Sequence, residues 1–271
     1  MQITFIGGGN MASALIGGLI ARGQPAGSVH VIEPSDAARQ KLAAQFSVSV
    51  AAAIDASALP CEVLVLAVKP QQMESAIAPL AHQLHSEVVV SIAAGTRAHS
   101  IAAWLGGYDR IVRAMPNTPA LIGEGITGLY ALPGVTATEK AAAQRVLEAA
   151  GQTVWVAEES QIDAITAISG SGPAYVFHFI EALEAAALHL GFEPATARKL
   201  ALQTFRGASL LASSSEDSPA LLREKVTSKG GTTEAALKSM AADGVFDAIL
   251  RGAMAAFARG RELGAASSRS Q

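Results

Sequence analysis

The sequence predicts an α/β doubly wound sheet at the N-terminus followed by an all-α C-terminal domain, and three observations carry that reading. Apolar β-forming runs at 2–6, 28–32, 62–68 and 88–92 alternate with stretches of helical spacing, the pattern of parallel strands covered by helices on both faces. The first run opens directly into Gly7-Gly8-Gly9 and then into Ala12, Ala14, Leu15, Leu19 and Ile20, which are apolar at helical intervals. Beyond Glu158 no strand pattern remains. The boundary therefore falls near residue 160, with a sheet domain over 1–160 and a helical domain over 161–271.

The strand–glycine–helix start fits G-x-G-x-x-G/A. Gly7 supplies the tight turn, Gly9 lets a pyrophosphate approach the backbone, and Ala12 permits close packing of helix on strand. Gly8, Asn10 and Met11 complete the segment on which the phosphates would lie, at a helix N-terminus whose free amides and dipole favour an anion. The second strand ends in Glu33, at the distance where this Rossmann-type fingerprint places an acid for the ribose hydroxyls.

The following elements come in order. A helix is expected over 35–45, a short strand at 48–50, and a helix from Lys69-Pro70 to about His85. A strand at 110–115 runs into Pro116-Asn117-Thr118-Pro119, a turn stiffened by two prolines. The 125–132 segment, a helix over 138–150 and a strand at 153–156 complete the α/β half. Helices follow at 162–169, 173–190, 194–213, 219–227, 233–242 and 245–263, punctuated by prolines near their starts and by Gly191. Residues 265–271 read as a disordered tail.

Composition narrows the function classes. Half of the 271 residues are apolar and 16% are charged, with a net charge of −3 and the basic residues scattered. Nucleic acid and anionic membranes are poor partners for such a chain, and the apolar excess points to a face buried against another subunit. The 174–190 helix is apolar almost all round, short for a membrane span, and carries Glu181 and Glu184. It is expected to be buried on every side at a helical homo-oligomer interface. The one cysteine, Cys61, reads as a buried structural thiol, and no basic leader precedes the first strand. Both suit the cytoplasm.

In an open sheet, ligands bind at the carboxyl ends of the strands. Those ends are Gly7–Gly9, Glu33, Ala67-Val68-Lys69-Pro70 and Ala93-Ala94-Gly95. The helical half contributes Thr227-Ser228-Lys229-Gly230-Gly231-Thr232-Thr233-Glu234, where two glycines free the backbone and hydroxyls surround it. That suits a small carboxylate, each charged hydrogen bond contributing roughly 1.5–3 kcal/mol; a plain loop with Thr232 or Thr233 as N-cap fits the same composition. Ile168-Ser169-Gly170-Ser171-Gly172-Pro173-Ala174-Tyr175 suits close helix packing or approach to a nicotinamide. His82 and His85 share one helix face but find no further ligand, so no metal site is expected.

Taken together, the glycine turn, Ala67-Val68-Lys69-Pro70-Gln71, Ser91-Ile92-Ala93-Ala94-Gly95, Arg113-Ala114-Met115-Pro116-Asn117-Thr118-Pro119, the 169–175 patch and the 227–233 loop resemble the motif series of the pyrroline-5-carboxylate reductase family, in order and over nearly the whole chain. The resemblance implies reduction of 1-pyrroline-5-carboxylate to L-proline with NADPH or NADH, the last step of proline synthesis. It implies a Rossmann domain and a helical domain interleaved in a dimer, often built into larger rings. The pyrophosphate would lie on Gly7 to Met11, with Glu33 and Ser35 at the ribose. The nicotinamide half would lie near Ala67, Val68, Lys69, Pro70, Ala93, Ala94 and Gly95, with Lys69 acting through its backbone.

Substrate would occupy Ser228 to Thr233, with one loop from the partner subunit, and Asn117 joins the substrate contacts by the same resemblance. In that mechanism Thr233 hydrogen-bonds the ring nitrogen, while Ser228 and the amides of Gly230, Gly231 and Thr232 hold the carboxylate. Two departures stand out. Lys229 replaces a proline found in many members, and Glu33 suits NADH where the family often takes NADPH. The family preference nevertheless leans to NADPH, with Ser35 and Arg39 as receivers of the 2′-phosphate. A β-hydroxyacid dehydrogenase would need a lysine within 175–190, where none occurs. A nicotinamide-binding regulatory protein without turnover would have no use for the hydroxyl-rich loop.

Overall fold

A computed structural model describes residues 1–54 and 58–269, apart from the side chains of 266–269. Eight strands form one sheet: β1 (Ile3–Ile6), β2 (Val29–Ile32), β3 (Ser49–Ala51), β4 (Val63–Leu66), β5 (Val88–Ser91), β6 (Ile111–Met115), β7 (Gly125–Ala131) and β8 (Gly151–Trp155). Their order is β3-β2-β1-β4-β5-β6-β7-β8. The first six are mutually parallel; β7 runs antiparallel to β6 and carries β8 parallel to itself. The order reverses between β1 and β4, so the switch point of this doubly wound sheet lies where Gly7 leaves β1 and Ala67 leaves β4.

Alternation along the strands sorts the core onto two faces. Ile3, Phe5, Val63, Val65, Val88 and Val90 pack with Leu15 and Ile16 of α1 (Asn10–Ala21), Leu42 of α2 (Asp36–Phe46) and Val146 of α5 (Ala137–Glu148). Ile6, Leu64, Leu66 and Val89 face the other way, toward Met73 and Ile77 of α3 (Met73–Ile77) and Ile101 of α4 (Ala98–Trp104). Both faces are covered, which is why these strands are apolar throughout.

Three local expectations are corrected. The helix expected from 70 to 85 is broken into a 3-10 turn at Pro70–Gln72, α3, and a second 3-10 turn at Ala78–Leu80. Pro79 supplies no amide to continue α3, and His82 turns the chain at a φ of 63°. His82 and His85 therefore share no helix face. Helix α4, unremarked in the sequence, bridges β5 and β6. At the other end α11 (Val245–Arg269) continues through most of the expected tail; residues 270 and 271 lie outside the described residues.

The chain divides into two compact units, 172–255 and 1–171 joined by 256–271, so the last part of α11 belongs with the sheet. Leu263 of that segment lies beside Gly95. The sheet unit also holds α6 (Ser160–Ile165), which passes into a π-helical turn at Thr166–Gly170.

The other unit contains α7 (Gly172–His189), α8 (Pro194–Ser213), α9 (Pro219–Lys225), α10 (Thr232–Ala242) and the start of α11. Its buried apolar side chains are Ala187, Ala197 and Ala201, a seam between α7 and α8 beside which Phe179 and Phe205 meet with ring centroids 6.5 Å apart. Burial of α7 on every side is not realised within one chain: Val176, Phe177, Leu183 and Leu188 are exposed. Among the described residues no helix is long and apolar enough to cross a membrane.

Candidate functional site

At the switch point Gly7 has a φ of +100°, and its amide donates to the Ile32 carbonyl at 2.8 Å. A Cβ here would stand 2.6 Å from the Ala67 carbonyl oxygen, so backbone from β1 and β4 meets at a distance only glycine allows. Gly9 differs: its missing side chain faces open space, and as N-cap of α1 it offers no capping side chain. The first amides of α1 thus point toward a solvent-facing lip formed by exposed Gly9 and Asn10 and half-buried Met11, while Ala12 is buried against the sheet. An approachable backbone, unsatisfied donors and the positive end of a helix fit a dinucleotide pyrophosphate.

Glu33 stands beside this turn. Its carboxylate accepts the Gly8 amide at 2.8 Å through Oε2 and the Ser35 amide at 2.9 Å through Oε1. Ser35 caps α2, its Oγ accepting the Ala38 amide at 3.4 Å. The Arg39 guanidinium donates to the Glu33 and Pro34 carbonyls and to Asp36, at 2.7–2.9 Å. Glu33 therefore faces the glycine turn, and the groups expected to receive a 2′-phosphate are engaged within the protein. At the end of β4 the Ala67 amide donates to the Ile6 carbonyl at 2.8 Å, Val68 is half-buried, the exposed Lys69 precedes the turn, and Pro70 begins it. After β5 come buried Ala93, exposed Ala94 and half-buried Gly95, the last with a φ of +76°.

Behind the Ala93–Gly95 turn lies an ionic frame that sequence reasoning missed. Arg113, in the middle of β6 and 1% exposed, donates to Glu159 Oε1 and Asp163 Oδ1, each at 3.1 Å. Arg97 holds the other Asp163 oxygen at 2.8 Å, and Glu159 Oε1 also accepts the Ala98 amide at 2.8 Å. Two guanidinium groups and two carboxylates balance, as burial of charge requires. The signal was a lone arginine inside the apolar run Ile111-Val112-Arg113-Ala114-Met115.

In the helical unit, Ser228 to Gly231 forms a turn closed by the Gly231 amide on the Ser228 carbonyl at 3.0 Å, with Gly230 at a φ of +73°. A glycine of positive φ at the third position defines a type II turn, which places Lys229 where proline is favoured. A Cβ on Gly231 would meet Ser228 Oγ at 2.5 Å, so the hydroxyl leans over the turn. Helix α10 starts at Thr232 with no capping side chain, which removes the reading of Thr232 or Thr233 as a cap. Thr233 is half-buried and Thr232 exposed. Two amides of the expected carboxylate cradle have acceptors within the chain: the Gly231 amide closes the turn, and the Gly230 amide donates to Glu234 Oε2. Thr232 begins the uncapped helix.

Asn117 is held by two hydrogen bonds. It is buried, its Nδ2 donating to the Ser169 carbonyl at 3.1 Å and its Oδ1 accepting the Ile126 amide at 2.9 Å. It staples the turn after β6 to β7 and the π turn, so its side chain is committed to the fold. In the 168–175 patch, a Cβ on Gly170 would stand 2.7 Å from the Met115 methyl, a close-packing role. Among the described residues no group of three or more His, Cys, Asp or Glu could hold a metal.

Fold and site together define a two-domain nicotinamide-dependent oxidoreductase whose second domain is helical. The comparisons narrow the class. Residues 2–95 match the family model described as NADP oxidoreductase coenzyme F420-dependent, and residues 159–263 match pyrroline-5-carboxylate reductase dimerisation. A curated pyrroline-5-carboxylate reductase of Pseudomonas aeruginosa is 47% identical over 97% of this chain and 96% of its own. The structure of such a reductase from Coxiella burnetii superposes with a TM-score of 0.92 at 40% identity, covering 97% of this chain and 98% of that one. A Plasmodium falciparum pyrroline carboxylate reductase with NADP bound gives 0.87 at 28% identity, covering 97% and 98%. This chain belongs to the pyrroline-5-carboxylate reductase family.

Proposed function

We propose that in the family's reaction, reduction of 1-pyrroline-5-carboxylate to L-proline by NAD(P)H, the loop from Ser228 to Thr233 binds the substrate and the Gly7–Met11 turn binds the cofactor. The observation that carries the substrate reading is the uncapped start of α10, with the Ser228 and Thr233 hydroxyls beside it. The bound nicotinamide supplies hydride from its C4. The Ser228 hydroxyl and the Thr232 amide hold the carboxylate, and the Gly230 and Gly231 amides join them only by giving up their present acceptors. The Thr233 hydroxyl hydrogen-bonds the ring nitrogen, which keeps that nitrogen protonated and the imine carbon electrophilic. No covalent intermediate forms; orientation and charge placement do the work. Val68, Lys69, Pro70, Ala93, Ala94 and Gly95 shape the nicotinamide pocket through backbone and small side chains.

Glu33 supports NADH over NADPH, because a carboxylate fixed on the Gly8 and Ser35 amides suits two ribose hydroxyls and repels a 2′-phosphate. The family lean toward NADPH thus meets a local obstacle. The lone buried thiol supports a cytoplasmic enzyme.

The test follows nicotinamide absorbance with 1-pyrroline-5-carboxylate and either cofactor, with L-proline as the product sought. Thr233→Val should lower kcat by roughly 10²–10⁴, and unchanged turnover in that variant removes Thr233 from the proton-donating role.

A further inference from the structure

The loop that receives the substrate already holds a carboxylate. Glu234, in the first turn of α10, reaches back four residues so that its Oε2 accepts the Gly230 amide, while Lys238 one turn further on holds Oε1 at 2.9 Å. One oxygen thus takes a donor assigned to the substrate, and the other takes a donor the substrate does not need. We propose that Glu234 is an internal occupant of the substrate's anion cradle, an affinity-setting residue that an incoming carboxylate displaces from Gly230 and that Lys238 then holds aside. The inference rests on the substrate reading of this loop.

The division of the two oxygens gives the device its direction. Release from Gly230 leaves the Lys238 pair intact, so the displaced carboxylate keeps a partner instead of facing an incoming anion alone. Those same two bonds, Lys238 first and Gly230 second, hold the Glu234 carboxyl below its usual range, so it remains an anion at neutral pH. Displacement exchanges one charge-assisted bond at Gly230 for another of the same kind. A ligand that offers only a carboxylate gains little from the exchange. One that also brings a protonated ring nitrogen to Thr233 gains the second contact, so Glu234 lowers the affinity of the loop for every carboxylate alike and leaves the Thr233 contact to separate them. The plainer role for an acid at the third helical position is a capping clamp that reaches back to fix the loop, and it predicts the opposite sign: without the acid the loop loosens and binding weakens.

The experiment compares wild type, Glu234→Gln and Lys238→Met in two measurements on the full-length enzyme with cofactor bound. These are KM and kcat for 1-pyrroline-5-carboxylate, and the calorimetric dissociation constant of cyclopentanecarboxylate, which has the acid but no imine. Glu234→Gln keeps an acceptor for Gly230 but loses the charge, so both KM and the dissociation constant should fall roughly three- to tenfold, with the change in KM rather than kcat. Lys238→Met removes the parking partner and should raise both. Opposite signs for the two variants are not expected of a clamp, in which both residues hold the loop. Weaker binding in Glu234→Gln, shifts of the same sign in the two variants, or no probe binding to either wild type or Glu234→Gln overturns the proposal. If the probe binds with the expected order and the imine is not reduced, the family reaction fails for this loop while the competition at Gly230 stands.

Discussion

Glu33 shows how one side chain sets two properties. By accepting the Gly8 and Ser35 amides it shapes the glycine turn, and on the proposed cofactor reading its charge selects the ribose that can lie there. Glu33→Gln keeps one of the two amide acceptors and removes the charge, so the KM for NADPH relative to NADH should fall about tenfold, in the range for relieving one close like-charge contact; an unchanged ratio would show that the carboxylate does not face the cofactor. Cys61 makes a different statement. Burial raises its pKa from 9.0 to about 12, and Tyr108 rises from 10.0 to about 12 for the same first cause. A folded pKa above the unfolded value means a contribution that is complete below pH 9 and is lost as pH rises toward 12. Cys61→Ala should therefore flatten the alkaline limb of the stability profile between those values, read by denaturant unfolding at stepped pH. Gly7, Glu33 and the hydroxyl-rich loop were legible because their chemistry is local in sequence. The hydrogen bonds of Asn117 were not, since a motif names a residue without saying which way its side chain turns.

Elements carry the next layer. Strand β6 places Arg113 where only distant acids can balance it, 46 and 50 residues away on α6 and the turn before it. No window of sequence contains that pairing, so only the anomaly of a charge inside an apolar strand was visible. Asp163→Asn leaves Arg97 and Arg113 sharing one weakened acceptor, and unfolding in urea should show a loss of about 3–5 kcal/mol, as for other broken buried pairs. The strands were readable because parallel, doubly covered strands are continuous apolar runs. The segment after β4 was not, because its apolar spacing suggested one helix where a 3-10 turn precedes α3 and Pro79 ends it in a second 3-10 turn.

At the scale of the whole molecule, the helical unit has almost no interior of its own. Three buried alanines cannot hold 84 residues together, and units of this size with so little core are stabilised by association. The match to the dimerisation family and the bare apolar side chains of α7 describe one fact from two directions: this chain forms a homo-oligomer. Phe177, 62% exposed on α7, is the largest of those side chains. Phe177→Asp should give a species with the mass of a single chain in sedimentation equilibrium, melting at lower temperature than the wild type. The all-round apolar pattern of α7 was legible as burial against another copy, because a unit this small cannot enclose such a helix by itself.

The three-alanine seam also bears on how such a chain tolerates change. Because the helical unit matches a dimerisation family, a substitution on an interface helix is present in every copy and can alter both sides of a contact at once. Small effects are multiplied there, and a compensating change elsewhere in the gene is likewise inherited by every copy. The helices thus evolve under a symmetry constraint that the sheet, which fills its own interior, does not share.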